Sequence, residues 1–273
     1  MKRLVDLIGR CRERIPRESR WARILEPIAW MITFRGSMRS TLRYVRRHGL
    51  TVGAGPLAGL RYPRSAILHV PGLASRLAGT YELELRNVID ALIASRPAVL
   101  INIGAADGYY AVGMASRCPE LEVIAYEADP YRRWVCTETA RCNGLGGRVD
   151  VRGTCTPAAL ARLNPPDGSV VICDCDGAEV ELIDPVQVGW LRRSTLLVEV
   201  HETFAPGAET TLGGRLEGSH ALEWIQPTRR YLGDPVNRLL WTTGLSPVQQ
   251  ETLMSELRPV PTPWLWATPS VPG

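Results

Sequence analysis

Between residues 97 and 202 the chain alternates short apolar runs with helical patterns, and this rhythm restricts the fold more than any other feature. AVLINIG (98–104), EVIAYEAD (122–129), RVDVRGTC (148–155), SVVICDCD (169–176) and TLLVEVHE (195–202) each read as a strand bounded by turn residues. Helical patterns fill the gaps over 109–117, 131–142, 157–163 and 179–191. Strands separated by helices build a parallel sheet covered on both faces. The near-continuous Val, Ile and Leu of the first, fourth and fifth runs places those three at its centre. The expected fold class is therefore α/β, Rossmann-like and mostly parallel.

The flanks break the rhythm. Residues 1–96 predict helices over 1–14, 20–33 and 38–48, a Gly/Pro-rich loop over 51–64, and a helix over 81–95 that leads into the first strand. We read 1–96 as an N-terminal helical extension or cap and 97–273 as the α/β domain. Near the other end, Ser246-Pro247-Val248-Gln249 has Ser as N-cap, Pro at the first helical position and Gln to complete a capping box. Pro259, Pro261 and Pro263 follow. Trp264 to Ala267 then reads as a short final strand, at an edge or added antiparallel.

Charge and cysteine usage narrow the setting. Residues 1–50 hold 13 Lys/Arg against 4 Asp/Glu, a net +9 within a total of +4, so the remaining 223 residues carry −5. The basic stretch suits contact with nucleic acid, an anionic membrane surface or an acidic partner, or else a solvated helix surface. The acidic remainder disfavours a nucleic-acid substrate. Seven cysteines show no disulfide framework, and the Cys173-x-Cys175 pair falls in a strand-like run, so reduced thiols and a cytoplasmic location are expected. The apolar segment 24–34 contains Glu26 and Pro27, is too short to span a bilayer, and lacks the cleavage site of a signal peptide.

In an open α/β sheet, ligands sit at the carboxyl ends of strands where the strand order reverses, so the turn after the first strand is the place to look. It reads Gly104-Ala105-Ala106-Asp107-Gly108. Small residues let backbone approach a ligand, but the G-x-G-x-x-G spacing that seats a pyrophosphate is missing. The second strand-like run carries Glu127-Ala128, and a carboxylate about twenty residues past the glycines accepts hydrogen bonds from ribose hydroxyls. Together the loop and Glu127 read as adenosine recognition without pyrophosphate. Asn102, Ala128 and Thr154, the last in the third run, complete the expected cofactor-binding set with Asp174.

These segments, INIGAADGYYAVGMA, AYEADP, ICDCDGAEVELI and LLVEVHE, resemble the FkbM-type family of class I S-adenosylmethionine-dependent methyltransferases over 98–202. The family shows a D-x-G-A-N-x-G loop, an acidic end to the second strand, a D-x-E-G-A-E segment and a late V-E-x-H. The resemblance implies a seven-stranded sheet with its last strand antiparallel, S-adenosylmethionine as cofactor, and O-methylation of a sugar, glycan precursor or secondary metabolite. Three positions depart from the pattern. Asn102 stands for the first acid of the loop, which bears on the contact to the methionine amino group; Ala106 stands for Asn; and Asp176 stands for Glu.

A hydroxyl acceptor needs its proton removed, by a positioned base or by a metal. Asp174 and Asp176 are two apart at the end of the fourth run, as are Glu199 and His201 at the end of the fifth, so each pair points one way. His201 is the expected general base, with Asp174 and Glu199 positioning cofactor or acceptor. The same four residues (Asp174, Asp176, Glu199 and His201) could instead hold a divalent metal such as Mg2+. Asn164-Pro165-Pro166-Asp167 is a loop and not a nucleic-acid methylation motif, because it precedes the fourth run. Trp134 and Trp190 are expected in the core. Trp264 and Trp266 share a strand face that could line the acceptor pocket, and Tyr81 or Glu84 could lie over the cofactor mouth. The leading expectation is an O-methyltransferase of a small polar acceptor; the rivals are a protein or nucleic-acid methyltransferase and a non-catalytic adenosylmethionine-binding protein.

Overall fold

The computed structural model describes residues 35–70, 72–228 and 262–270, together with Ser246, Pro247, Gln250 and Met254. The helices expected over 1–14 and 20–33 lie outside these residues, as does most of the helix expected from Ser246. Of that helix, Pro247, Gln250 and Met254 are described and helical, and Met254 is buried.

Seven strands form one sheet: β1 (Val99–Ile103), β2 (Glu122–Tyr126), β3 (Val149–Arg152), β4 (Val170–Cys173), β5 (Thr195–Glu199), β6 (His220–Ile225) and β7 (Trp264–Pro269). Their order across the sheet is β3-β2-β1-β4-β5-β7-β6. The first five pair in parallel, and β7 runs antiparallel to both β5 and β6. This is the Rossmann-like, mostly parallel sheet expected from the alternation, with the antiparallel last strand that the resemblance implies. The order reverses between β1 and β4, which opens a crevice at their carboxyl ends.

Nine α-helices accompany the sheet among the described residues: α1 (Arg35–His48), α2 (Ala66–His69), α3 (Leu73–Ala78), α4 (Arg86–Ala94), α5 (Tyr109–Arg117), α6 (Pro130–Cys142), α7 (Pro157–Ala161), α8 (Glu179–Leu182) and α9 (Ala208–Leu216). Local chemistry fixes several ends. The Asp129 side chain accepts the backbone N–H groups of Tyr131 and Arg132, and Pro130 sets the first helical φ, so α6 starts immediately after the β2 loop. Thr156 and Pro157 start α7 the same way.

Four expectations need correction. The helix read over 179–191 stops at Leu182, because Pro185 has no N–H to donate and the Asp184 carboxylate captures the Val186 N–H at 2.8 Å. The helix read over 81–95 starts later, as a short 3-10 turn at Leu83–Leu85 running into α4, because Glu82 takes a left-handed backbone with φ 44°. Strand β6 and helix α9 were not anticipated, and β6 takes the sheet edge, so β7 is an interior strand. Trp134 is 46% exposed rather than core, whereas Trp190 is buried and donates its indole N–H to the Leu160 carbonyl.

Alternation along the strands sorts the core into two layers. On one face Leu100, Ile172, Leu197 and Trp264 meet α4, α5, α6 and the segment from Tyr44 to Ala78. On the other, Ile101, Ile103, Val171 and Val198 meet Leu160, Leu182 and α9. The described residues before β1 therefore have no core separate from the sheet: Leu57, Leu77 and Leu85 share theirs with Tyr110 and Met114 of α5. No helix among the described residues is long and apolar enough to cross a membrane. Leu77 is fully buried in that shared layer. Leu77→Ala should cost about 2–5 kcal/mol, and urea unfolding of the variant should remain one transition at a lower midpoint.

Candidate active site

The carboxyl end of β1 and the start of the β4 loop are in backbone contact. The Asp174 N–H donates to the Ile103 carbonyl at 2.9 Å, and a Cβ placed on Gly104 would lie 1.6 Å from the Asp174 carbonyl oxygen. With φ at 77°, Gly104 is required twice over, by backbone region and by space. The turn then passes through Ala105 and through Ala106, whose φ of 46° is unusual for a residue with a side chain. Gly108 ends the turn in the left-handed region at the N-terminus of α5.

Glu127, just past β2, holds that turn in place. Its Oε2 accepts the Ala106 N–H and its Oε1 the Asp129 N–H, each at 2.7 Å. An ionised carboxylate offers about four acceptor positions. Two are used by these amides, which leaves acceptor capacity on the side chain. Burial pushes the Glu127 carboxyl above the usual range, against the pull of the two amides that favour its charged form. Ala128 beside it is exposed, as is Thr154 beyond the end of β3. Asp107 turns away from the mouth of the turn: it is buried with an oxygen 3.2 Å from Arg76 Nε, and the Arg76 guanidinium lies 3.8 Å from the centre of the Tyr81 ring. Asn102 is buried in β1, with its Nδ2 donating to the Ile172 carbonyl of β4 at 3.2 Å and its Oδ1 without a partner.

Next to the turn, four acidic residues converge on one imidazole. The Nε2 of His201 lies 3.7 Å from Asp174, 3.8 Å from Asp176 and 3.6 Å from Glu199. Its Nδ1 lies 3.2 Å from Oε1 of Glu179, the oxygen that also accepts the His201 backbone N–H at 2.8 Å. The second oxygen of Glu179 accepts the Gly177 N–H, also at 2.8 Å. Glu179 is fully buried and thus braces the loops after β4 and β5 against each other. Nδ1–H facing that carboxylate leaves the Nε2 lone pair toward Asp174. Burial alone would lower the His201 pKa; the Glu179 hydrogen bond and the charges of Asp174 and Asp176 outweigh it and raise it. Burial likewise works against a charged Glu179, but its bonds to His201 prevail and lower its pKa.

The expected residues converge, although strand alternation is not the reason for Asp174 and Asp176. Strand β4 ends at Cys173, and both aspartates lie on the loop beyond it, Asp176 with φ 53°. Sequence reasoning missed Glu179, which was read only as a helix start; the final acid of the D-x-D-G-A-E segment was the available signal. It also missed Glu82. Tyr81 and Glu84 were singled out in that run, but the intervening Glu82 is the one that reaches the site, with its carboxylate held by the Tyr110 hydroxyl. Among the described residues, two trios bring possible metal-ligand atoms within 4.8 Å of one another: Asp174, Asp176 and His201, and Glu82, Asp174 and Glu199. The four residues considered for a metal thus divide between trios that share Asp174. Trp264 is fully buried with its ring centre 6.4 Å from that of Tyr110, while Trp266 is partly buried.

No protein-family model matches the chain, and no curated protein sequence matches it. Solved structures with a similar arrangement include an O-methyltransferase of Bacillus cereus in complex with S-adenosylhomocysteine, at 11% identity over 86% of this chain and 90% of that one, with a TM-score of 0.45. An S-adenosylhomocysteine-bound methyltransferase of Podospora anserina is similar at 16% identity over 60% of this chain and 83% of that one, TM-score 0.43. The C-terminal domain of the precorrin-6Y C5,15-methyltransferase of Rhodobacter capsulatus is similar at 18% identity over 66% and 85%, TM-score 0.43. At these values the function is read from the chain's own residues.

Gly104→Ala tests the seam between β1 and β4. The added methyl has only backbone to displace, so the variant should lose about 2–4 kcal/mol of stability by chemical denaturation. Gly144→Ala, at a similar φ but in open space, should lose less.

Proposed function

We propose that the chain is an S-adenosylmethionine-dependent methyltransferase that methylates a hydroxyl of a small polar acceptor, such as a sugar, glycan precursor or secondary metabolite. The observation that carries the reading is Glu127 bonded to the Ala106 amide of the turn at the reversal of strand order, with acceptor capacity left for a ribose. The unpartnered Oδ1 of Asn102 suits a ligand bearing N–H groups in the same crevice. Bound there, S-adenosylmethionine supplies a methyl group already activated on a sulfonium. The FkbM-type motifs support the sugar or secondary-metabolite class of acceptor.

The protein's part is to align the acceptor, exclude water and take a proton. His201 is the base: Glu179 holds Nδ1–H in one tautomer, and the Nε2 lone pair faces the crevice between Asp174, Asp176 and Glu199. The proton taken at Nε2 makes an imidazolium that these carboxylates stabilise. The same acidic lining disfavours a polyanionic substrate, which argues against nucleic acid. We further read the segment from Arg35 to Ala94 as a cap over the crevice, with Glu82 as its contribution.

A second reading rests on the trio Asp174, Asp176 and His201, whose two carboxylates and one imidazole suit an oxygen-preferring divalent ion such as Mg2+ or Mn2+. Such an ion would act as a Lewis acid on the acceptor hydroxyl.

Transfer of labelled methyl groups to a panel of sugar-containing acceptors tests the function. A base works when neutral, so the rate should rise with pH through a pKa above the ordinary histidine value of about 6.5. Glu179→Gln removes the negative partner and should move that rise to lower pH. His201→Ala should lower turnover by about 10²–10⁴-fold. Chelator should leave the activity intact; loss restored by Mg2+ would favour the metal reading. No transfer from S-adenosylmethionine to any acceptor, and no binding of it, would overturn the assignment.

A further inference from the structure

Helix α1 divides into two faces. Thr41 and Tyr44 are buried, and the Tyr44 hydroxyl donates to the Leu77 carbonyl of α3 at 3.3 Å, so this face is fixed to the rest of the molecule. Arg39, Arg43, Arg46 and Arg47 are all exposed. At 3.6 residues per turn their spacing gathers them within about a third of the helix circumference. Leu42, 36% exposed, stands at the border of the same face. Several surface arginines elsewhere have acidic partners: Arg141 pairs with Glu138, Arg152 with Asp150 and Arg193 with Asp167. Among the described residues, no carboxylate pairs with the four arginines of α1. Arginines four apart on a helix repel one another, and an anion outside the molecule relieves that repulsion.

The sequence beside α1 points to the kind of anion. ILEPIAWMITF (24–34) runs directly into the helix, flanked by Arg23 and Arg35. Such a run is too short to cross a bilayer but suits burial in its interface. One apolar element and one basic face together supply the two signals that stable peripheral binding requires. Leu42 adds an apolar side chain beside the arginines. A nucleic acid gains nothing from the apolar run, and residues 51–273, at net −5, repel it. An anionic lipid surface uses both features.

We propose that the arginine face of α1 docks the chain on an anionic lipid bilayer, with the apolar run before it as the second contact. This stands apart from the methyltransferase reading. Co-sedimentation of the full chain with vesicles of phosphatidylcholine alone, and of phosphatidylcholine mixed with phosphatidylglycerol, tests it. The chain should bind the mixed vesicles more tightly, and that binding should fall as NaCl is raised. Each arginine near an anionic surface strengthens binding about fivefold. Arg43→Gln combined with Arg47→Gln should therefore weaken it on the order of 25-fold. Arg39→Gln combined with Arg46→Gln should do the same, and carries the test if the first pair does not fold. Arg162 and Arg192 are exposed and adjoin Leu160 and Leu191 of the other core layer. Removing the same charge there, as Arg162→Gln with Arg192→Gln, should leave binding within about twofold of the unaltered chain. No binding to the mixed vesicles, equal binding to both kinds, or equal loss in α1 and control variants would overturn the proposal. Tighter binding to single-stranded RNA than to the mixed vesicles, lost in the same α1 variants, would overturn it in favour of a nucleic acid.

Discussion

The backbone contact between Gly104 and the Asp174 carbonyl is the constraint on which the rest of the site depends. It allows the turn after β1 and the loop after β4 to share a space in which a single Cβ would not fit. Because β1 and β4 are neighbours on either side of the strand-order reversal, the contact also sets the floor of the crevice. Glu127 holds one end of that floor through Ala106, and Asp174 brings the other end to His201. The turn and the carboxylate–imidazole cluster are thereby fixed relative to each other by main chain rather than by long flexible side chains.

Strain is concentrated in the crevice. Four described residues other than glycine have positive φ, and three of them, Glu82, Ala106 and Asp176, belong to the crevice. Such conformations cost about 1–3 kcal/mol each and persist when the surroundings enforce them. Glu127 enforces the Ala106 turn, and the Tyr110 hydroxyl engages Glu82. Glu179 does the same for the two loops that carry Asp174, Asp176 and His201: one buried carboxylate accepts the Gly177 amide, the His201 amide and the His201 ring. Removing it would release both loops as well as the imidazole.

What was legible in the sequence follows from how far each signal travels along the chain. The turn, Glu127, Asp174 and His201 lie at the ends of apolar runs, and parallel topology sends such ends to one side, so spacing alone placed them together. Glu179 was hidden because a helix start and a buried brace look the same in one dimension. Glu82 was hidden for a stronger reason: it precedes Asp174 by most of the α/β unit, and only its left-handed backbone, inside a stretch that reads as helix, turns it inward. Strand β6 was missed because its partly exposed edge position leaves a weak hydrophobic signal. Trp134 was misplaced because a tryptophan in an amphipathic helix usually faces the core; here it stands beside His69 at the surface, ring centres 5.7 Å apart.

The central claim is that the Gly104 turn with Glu127 takes an adenosine ligand that has no pyrophosphate. Calorimetric competition between S-adenosylhomocysteine and NAD tests it most directly. The account predicts that S-adenosylhomocysteine binds one to one, that NAD neither binds nor displaces it, and that Glu127→Ala weakens the complex at least tenfold, as loss of charge-assisted hydrogen bonds requires. Binding of NAD in preference to S-adenosylhomocysteine, or S-adenosylhomocysteine binding indifferent to Glu127, would contradict it.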